Sequence, residues 1–132
     1  MSLRARPETL RHDATDPKLE IPGSWALRRG LMQRDAGWPF GKLSLTDHEV
    51  VLSGRGPFRY GKPIVIPLDE ITQVERLKGW SFAKRRGMLR FRTRSPANDR
   101  AMFSASPSRI RRLERLLEDR GFAIEEVRGL TL

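Results

Sequence analysis

The chain has no cysteine, two histidines and a single tyrosine in 132 residues. Without cysteine there is no disulfide framework, no thiolate metal site and no sulfur nucleophile. His12 and His48 cannot by themselves build a catalytic triad or a zinc site with spaced ligands. Also missing is any run near the roughly 18–20 apolar residues of a membrane span. Residues 1–18 carry Arg, Glu, Asp, His and Pro where a secretory leader needs an apolar stretch. These absences lead to the expectation of a soluble cytoplasmic protein. Domains run to roughly 100–150 residues, so one domain is expected.

Acidic residues are scarce where basic ones are dense. The net charge is +10, and its distribution matters more than its size. In residues 1–24, Arg4, Arg6, Arg11 and Lys18 are cancelled by Glu8, Asp13, Asp16 and Glu20. From Arg76 to Arg115, 13 basic residues face only Asp99 and Glu114, a net of +11. Such a field favours anionic partners: membrane phosphates, nucleic acid or an acidic protein. Arg outnumbers Lys by 21 to 5, so the excess also fits a chain that simply uses Arg as its solvating charge.

Familiar catalytic and nucleotide motifs fail on their spacing. Gly37 to Lys42 has one residue too few between the glycines for a phosphate loop, and Leu43 stands where Ser or Thr would hold magnesium. Gly54-Arg55-Gly56 lacks the third glycine of a dinucleotide fingerprint. Asp69 and Glu70 are adjacent, so in a β context their carboxylates point apart. The expectation is no catalytic residue, no metal and no cofactor.

Read for structure, residues 1–24 form a mobile arm ending in Ile21-Pro22-Gly23, a turn signal. A strand is expected from Trp25, broken by Gly37-Trp38-Pro39-Phe40-Gly41. Leu43 and Leu45 alternate with polar neighbours, and Val50-Val51-Leu52 follows Asp47-His48, which predicts a tight hairpin. Ile64-Val65-Ile66 is a strand limited by Pro67. Asp69 to Lys78 reads as a bend and a short strand, with a helical turn as the alternative. Met88 to Ser95 and Ala101 to Ala105 form a second hairpin. The first of these strands alternates Leu89, Phe91 and Thr93 with Arg90, Arg92 and Arg94. Ser106 as N-cap and Pro107 at the first position open a helix with Ile110, Leu113, Leu116 and Leu117 as its apolar stripe, Arg115 able to pair with Glu118 and Asp119, and Gly121 at its end. Residues 123–132 are left as a tail, although Phe122-Ala123-Ile124 could form one more strand.

Basic and aromatic residues interleave in one stretch: Lys78, Trp80, Phe82, Lys84, Arg85 and Arg86. Rings in such a loop can enter the headgroup layer while cations meet lipid phosphates, each worth about 1 kcal/mol. The same chemistry suits single-stranded nucleic acid, and the bland alternative is that Trp80 and Phe82 fold inward. Arg90, Arg92 and Arg94 form a ladder that implies an anionic partner, cross-strand acids that the sequence does not display, or solvation alone. Arg109, Arg111, Arg112 and Arg115 read as a solvated helix face.

Several short strands followed by one amphipathic helix suit a bent sheet whose open corner the helix covers. Four segments carry a family resemblance: Gly41 to Thr46, Ile64 to Glu75, Leu89 to Thr93, and the closing helix. In this order they resemble the pleckstrin-homology-like superfamily, in particular its GRAM and bacterial PH-like branches, over residues 25–122. The resemblance implies a mainly β fold, a partly open barrel of two near-orthogonal antiparallel sheets capped by one C-terminal α-helix. Lipid-binding members hold phosphates with a lysine followed later by a basic residue, one spacer and an arginine. Here Arg34 and Lys42 flank the corresponding loop, but Ser44 stands two beyond Lys42. The function expected is a non-enzymatic module engaging anionic lipid headgroups, peripheral at the inner membrane face. An assembly module for an acidic or other protein partner, docking on the aromatic loop or the edge near Pro63 to Leu68, is the alternative. Non-specific nucleic-acid binding is the third.

Overall fold

Strict alternation builds the first strand. In β1 (Leu19–Arg29), Leu19, Ile21, Trp25 and Leu27 are buried, while Glu20 and Arg28 are exposed. A period of two places one strand face on the core. The computed structural model describes residues 19–29, 32–54, 62–78 and 87–128. β2 (Met32–Leu45), β3 (Glu49–Gly54) and β4 (Ile64–Pro67) follow. A 3-10 turn at Leu68–Glu70 leads into β5 (Ile71–Lys78), then β6 (Gly87–Thr93) and β7 (Ala101–Ala105). Helix α1 (Pro107–Asp119) and strand β8 (Ile124–Arg128) complete the order.

The eight strands form one sheet in the order β4-β3-β2-β1-β7-β6-β5-β8, curled into a half-barrel. All neighbours run antiparallel except β5 and β8. The parallel pair is possible because α1 supplies the crossover that returns the chain to the same end. Leu43, Leu52, Ile66, Val74, Leu89, Phe91 and Phe103 meet Ile110, Leu113 and Leu117 of α1 in a single core cluster.

β1 belongs to both halves of the sheet: Trp25 lies opposite Ala36 of β2 and also opposite Phe103 of β7. The crossing is tight. A Cβ on Gly23 would collide with the Ser104 carbonyl oxygen and come within 2.7 Å of the Phe103 ring. Gly87 plays the same part under the helix, where a Cβ would lie 2.6 Å from Cγ1 of Ile110.

Four features differ from the sequence reading. β1 begins at Leu19 rather than Trp25. Pro22 is tolerated because the first part of β1 pairs only with β2, while β7 joins at Ser24, so one side of the backbone needs no donor there. Gly37 to Gly41 does not end a strand: Gly23 faces Gly41 and Trp25 faces Ala36, so the intervening β2 residues are accommodated as a bulge. Ser106 precedes the helix, but its hydroxyl makes no capping bond, and Pro107 at the first position sets the helical φ instead. Ile124–Arg128, expected as tail, form β8, because Val74 to Lys78 of β5 offers an unpaired edge.

Candidate anion-binding surface

Arg90 and Arg92 stand where alternation puts them on β6 and each is already engaged by an acid, while Arg94 follows the last residue of the strand. Glu75 lies opposite Arg90 in the β5–β6 register, and Arg90 Nε donates to Glu75 Oε1 at 2.6 Å. The two side chains are only 8% and 7% exposed. They share the sheet face turned away from the core with Leu77 and Met88, which are also buried. Arg92 Nε donates to Asp99 Oδ1 at 3.1 Å, and the Thr93 amide donates to the same oxygen at 2.9 Å. Burial pushes the Asp99 carboxyl up. The Thr93 bond, then Arg92, and the charge of Arg100 outweigh it and leave Asp99 below its ordinary value. Arg94 is exposed, and its guanidinium donates to the Asp69 carbonyl. The acids absent from a linear reading are thus Glu75, on the neighbouring strand, and Asp99, in the turn after β6.

Lys78 ends β5 exposed to solvent, and its Nζ is 3.3 Å from Glu126 Oε2 of β8. Trp80, Phe82, Lys84, Arg85 and Arg86 lie outside the described residues. Their segment joins Lys78 to Gly87, and Gly87 pairs with Ala105 directly before α1. The ends of β5 and β8, where Lys78 faces Arg128, and the start of α1 therefore lie at one end of the half-barrel.

Arg76 connects three elements. Its Nε and Nη2 donate to the two Glu114 oxygens on α1 at 2.8 and 2.7 Å, and Nη1 reaches Glu126 Oε1 at 3.4 Å. The hydrogen bond to Glu114 is the main influence raising the Arg76 pKa above its ordinary value. The Lys78 hydrogen bond is the main influence lowering Glu126.

Four exposed arginines, Arg109, Arg111, Arg112 and Arg115, cover the outer side of α1. Their side chains make no ion pair or hydrogen bond among the described residues, and the expected pairs from Arg115 to Glu118 and Asp119 do not form there. Glu114, the one acid inside this basic stretch, is withdrawn to Arg76. The sequence carried one sign of that withdrawal: Glu114 sits between Leu113 and Leu117 in the buried arc of the helix, where an acid requires an inward partner.

At the sheet edge, the β4 backbone is partly occupied, since Asn98 Nδ2 donates to the Val65 carbonyl at 3.1 Å. Met32, Trp38 and Val65 are the exposed large apolar side chains among the described residues, and none lies on α1. Among the described residues no helix is long and apolar enough to cross a membrane, and no group of three or more His, Cys, Asp or Glu side chains is placed to hold a metal. No protein-family model matches the chain, and no curated protein is significantly similar to it in sequence.

Proposed function

We propose that this chain is a pleckstrin-homology-like module without catalytic activity that binds anionic lipid headgroups at the inner face of the cytoplasmic membrane. In this reading β4-β3-β2-β1 and β7-β6-β5 are the two sheets of a partly open barrel, joined through β1 and bent at Gly23, with α1 over the open corner. The parallel strand β8 is an addition to that plan.

One observation carries the reading. Both acids of the basic segment are spent internally, Asp99 on Arg92 and Glu114 on Arg76. Glu75 and Glu126 meet Arg90 and Lys78, and the exposed arginines of α1 stay open to an outside anion, which a surface of lipid phosphates supplies. His48 lies in the β2–β3 turn, where its amide donates to the Thr46 hydroxyl, in keeping with a turn role rather than a catalytic one. The assembly reading is less well supported at β4, because Asn98 and Pro67 already blunt that edge.

Vesicle co-sedimentation tests the proposal. Binding should rise with the fraction of anionic lipid, fall with salt, and weaken in the triple variant Lys84→Glu, Arg85→Glu, Arg86→Glu. No binding to anionic vesicles at low salt would sink it.

A further inference from the structure

The outer face of α1 is arranged against the stability of the helix that carries it. Cations are disfavoured near a helix N-terminus and favoured near its C-terminus. Here Arg109, Arg111 and Arg112 lie in the N-terminal half and Glu118 and Asp119 in the last turn, with no acid in the first turn and no base in the last. Arg109 and Arg112, Arg112 and Arg115, and Arg111 and Arg115 are neighbours at spacings of three and four, where like charges repel. A face that served solvation alone would gain from acids interleaved at those spacings. Between Arg109 and Arg115 the one acid, Glu114, is instead turned inward to Arg76 at 2.7 Å.

We propose that this face of α1 is the docking surface for an anionic bilayer, lying on the headgroups without inserting. The inference rests on the membrane reading above and assigns it to residues that a sequence reading treats as solvated. Three observations favour a plane of phosphates over a nucleic-acid rod. Successive residues turn by about 100°, so Arg111, Arg112 and Arg115 fall within about 100° of one another around the helix, where one flat surface reaches all three. Lys78, paired with Glu126, and Arg128 stand at the end where α1 begins, which places further cations beside the helix on β5 and β8. The exposed remainder of the helix is Pro107, Ser108, Glu118 and Asp119, with no Asn or Gln to pair with an adenine edge. Insertion is excluded by composition: the apolar stripe Ile110, Leu113 and Leu117 is buried in the core, and no large exposed apolar residue is on α1. Contact is therefore purely electrostatic, through guanidinium groups that can take phosphate oxygens two at a time.

The full chain is compared with Arg111→Gln/Arg112→Gln/Arg115→Gln, and with a charge-matched control, Arg28→Gln/Lys62→Gln/Arg100→Gln. Each is titrated with phosphatidylcholine vesicles with and without phosphatidylserine. Loss of three cations from the docking face should lower partitioning onto the anionic vesicles on the order of 100-fold, with a much smaller loss in the control. Circular dichroism should show the helix variant as stable as the parent or more so, because like-charge repulsion is relieved. Equal losses in both triple variants would overturn the proposal, since only net charge would then matter. Wild-type binding that survives in the helix variant would overturn it and leave the membrane reading standing on the segment from Lys78 to Gly87. Wild-type failure to bind anionic vesicles at low salt would overturn both. Tighter capture of duplex or single-stranded DNA than of vesicles, lost in the helix variant, would replace the bilayer as occupant.

Discussion

Arg76 holds Glu114 at two points, Nε to Oε2 at 2.8 Å and Nη2 to Oε1 at 2.7 Å, and so ties β5 to the middle of α1. The carboxylate is 7% exposed and the guanidinium 40%, so the acid depends on the contact more than the base does. Replacing Arg76 by Leu should destabilise the fold by about 2 kcal/mol, since a buried carboxylate then loses its charged partner. Glu114→Gln should cost about 1 kcal/mol, because the half-exposed arginine recovers water. A double-mutant cycle in urea should return a coupling near 1 kcal/mol; additive effects would show that the two side chains do not stabilise each other.

Arg90 and Glu75 are a harsher case, being buried on both sides. Arg90→Met alone should destabilise by about 3 kcal/mol by leaving a buried carboxylate without its arginine. Adding Glu75→Leu should return most of that loss, because a packed apolar pair can replace a buried ion pair at little net cost. Denaturant midpoints of the single and double variants check this, and a double variant as unstable as the single would contradict it.

Acid should weaken the turn after β6. Asp99 is held below its ordinary pKa, so folding favours its ionised form. Its contribution is complete above the unfolded value of about 4 and is lost as pH falls through the folded value. Between pH 7 and pH 3 the parent should therefore lose more stability than Asp99→Asn, which starts lower at neutral pH. Parallel unfolding slopes for the two proteins would rule out this role.

Gly23 and Gly87 should respond differently to rescue. Gly87→Ala meets the Cγ1 and Cγ2 atoms of Ile110, so shortening Ile110 to Ala, which removes both, should recover part of the lost melting temperature. Gly23→Ala meets the Ser104 carbonyl of the backbone as well as the Phe103 ring, and trimming Phe103 should not restore it. Thermal melts of the four variants separate the cases.

Local chemistry made some of this fold readable in advance. The β6–β7 hairpin follows from apolar residues at every second position around Ser95 to Asp99, and Thr46 closes the β2–β3 turn by accepting bonds from the His48 and Glu49 amides at 3.1 Å. What escaped depends on partners distant in sequence. Pro22 and the Gly37 to Gly41 stretch carry breaker signals that a bulged, one-sided ladder absorbs. The pairing of Arg90 with Glu75 depends on register, which only the assembled sheet defines. The same holds for the surface: the basic segment is plain in the composition, whereas the division between neutralised strand arginines and outward helix arginines depends on where Glu75, Asp99 and Glu114 point.

The double pairing of β1 also has a kinetic side. Its partner β2 is the next strand along the chain, so that hairpin closes a short loop, whereas the alignment of Ser24 with Ser104 must wait for most of the described chain to be gathered. Non-local pairing of this kind slows folding, which places the meeting of β1 and β7 among the late events. Contacts made late are the first to open, so the amides bridging β1 and β7 should exchange with deuterium before those bridging β1 and β2.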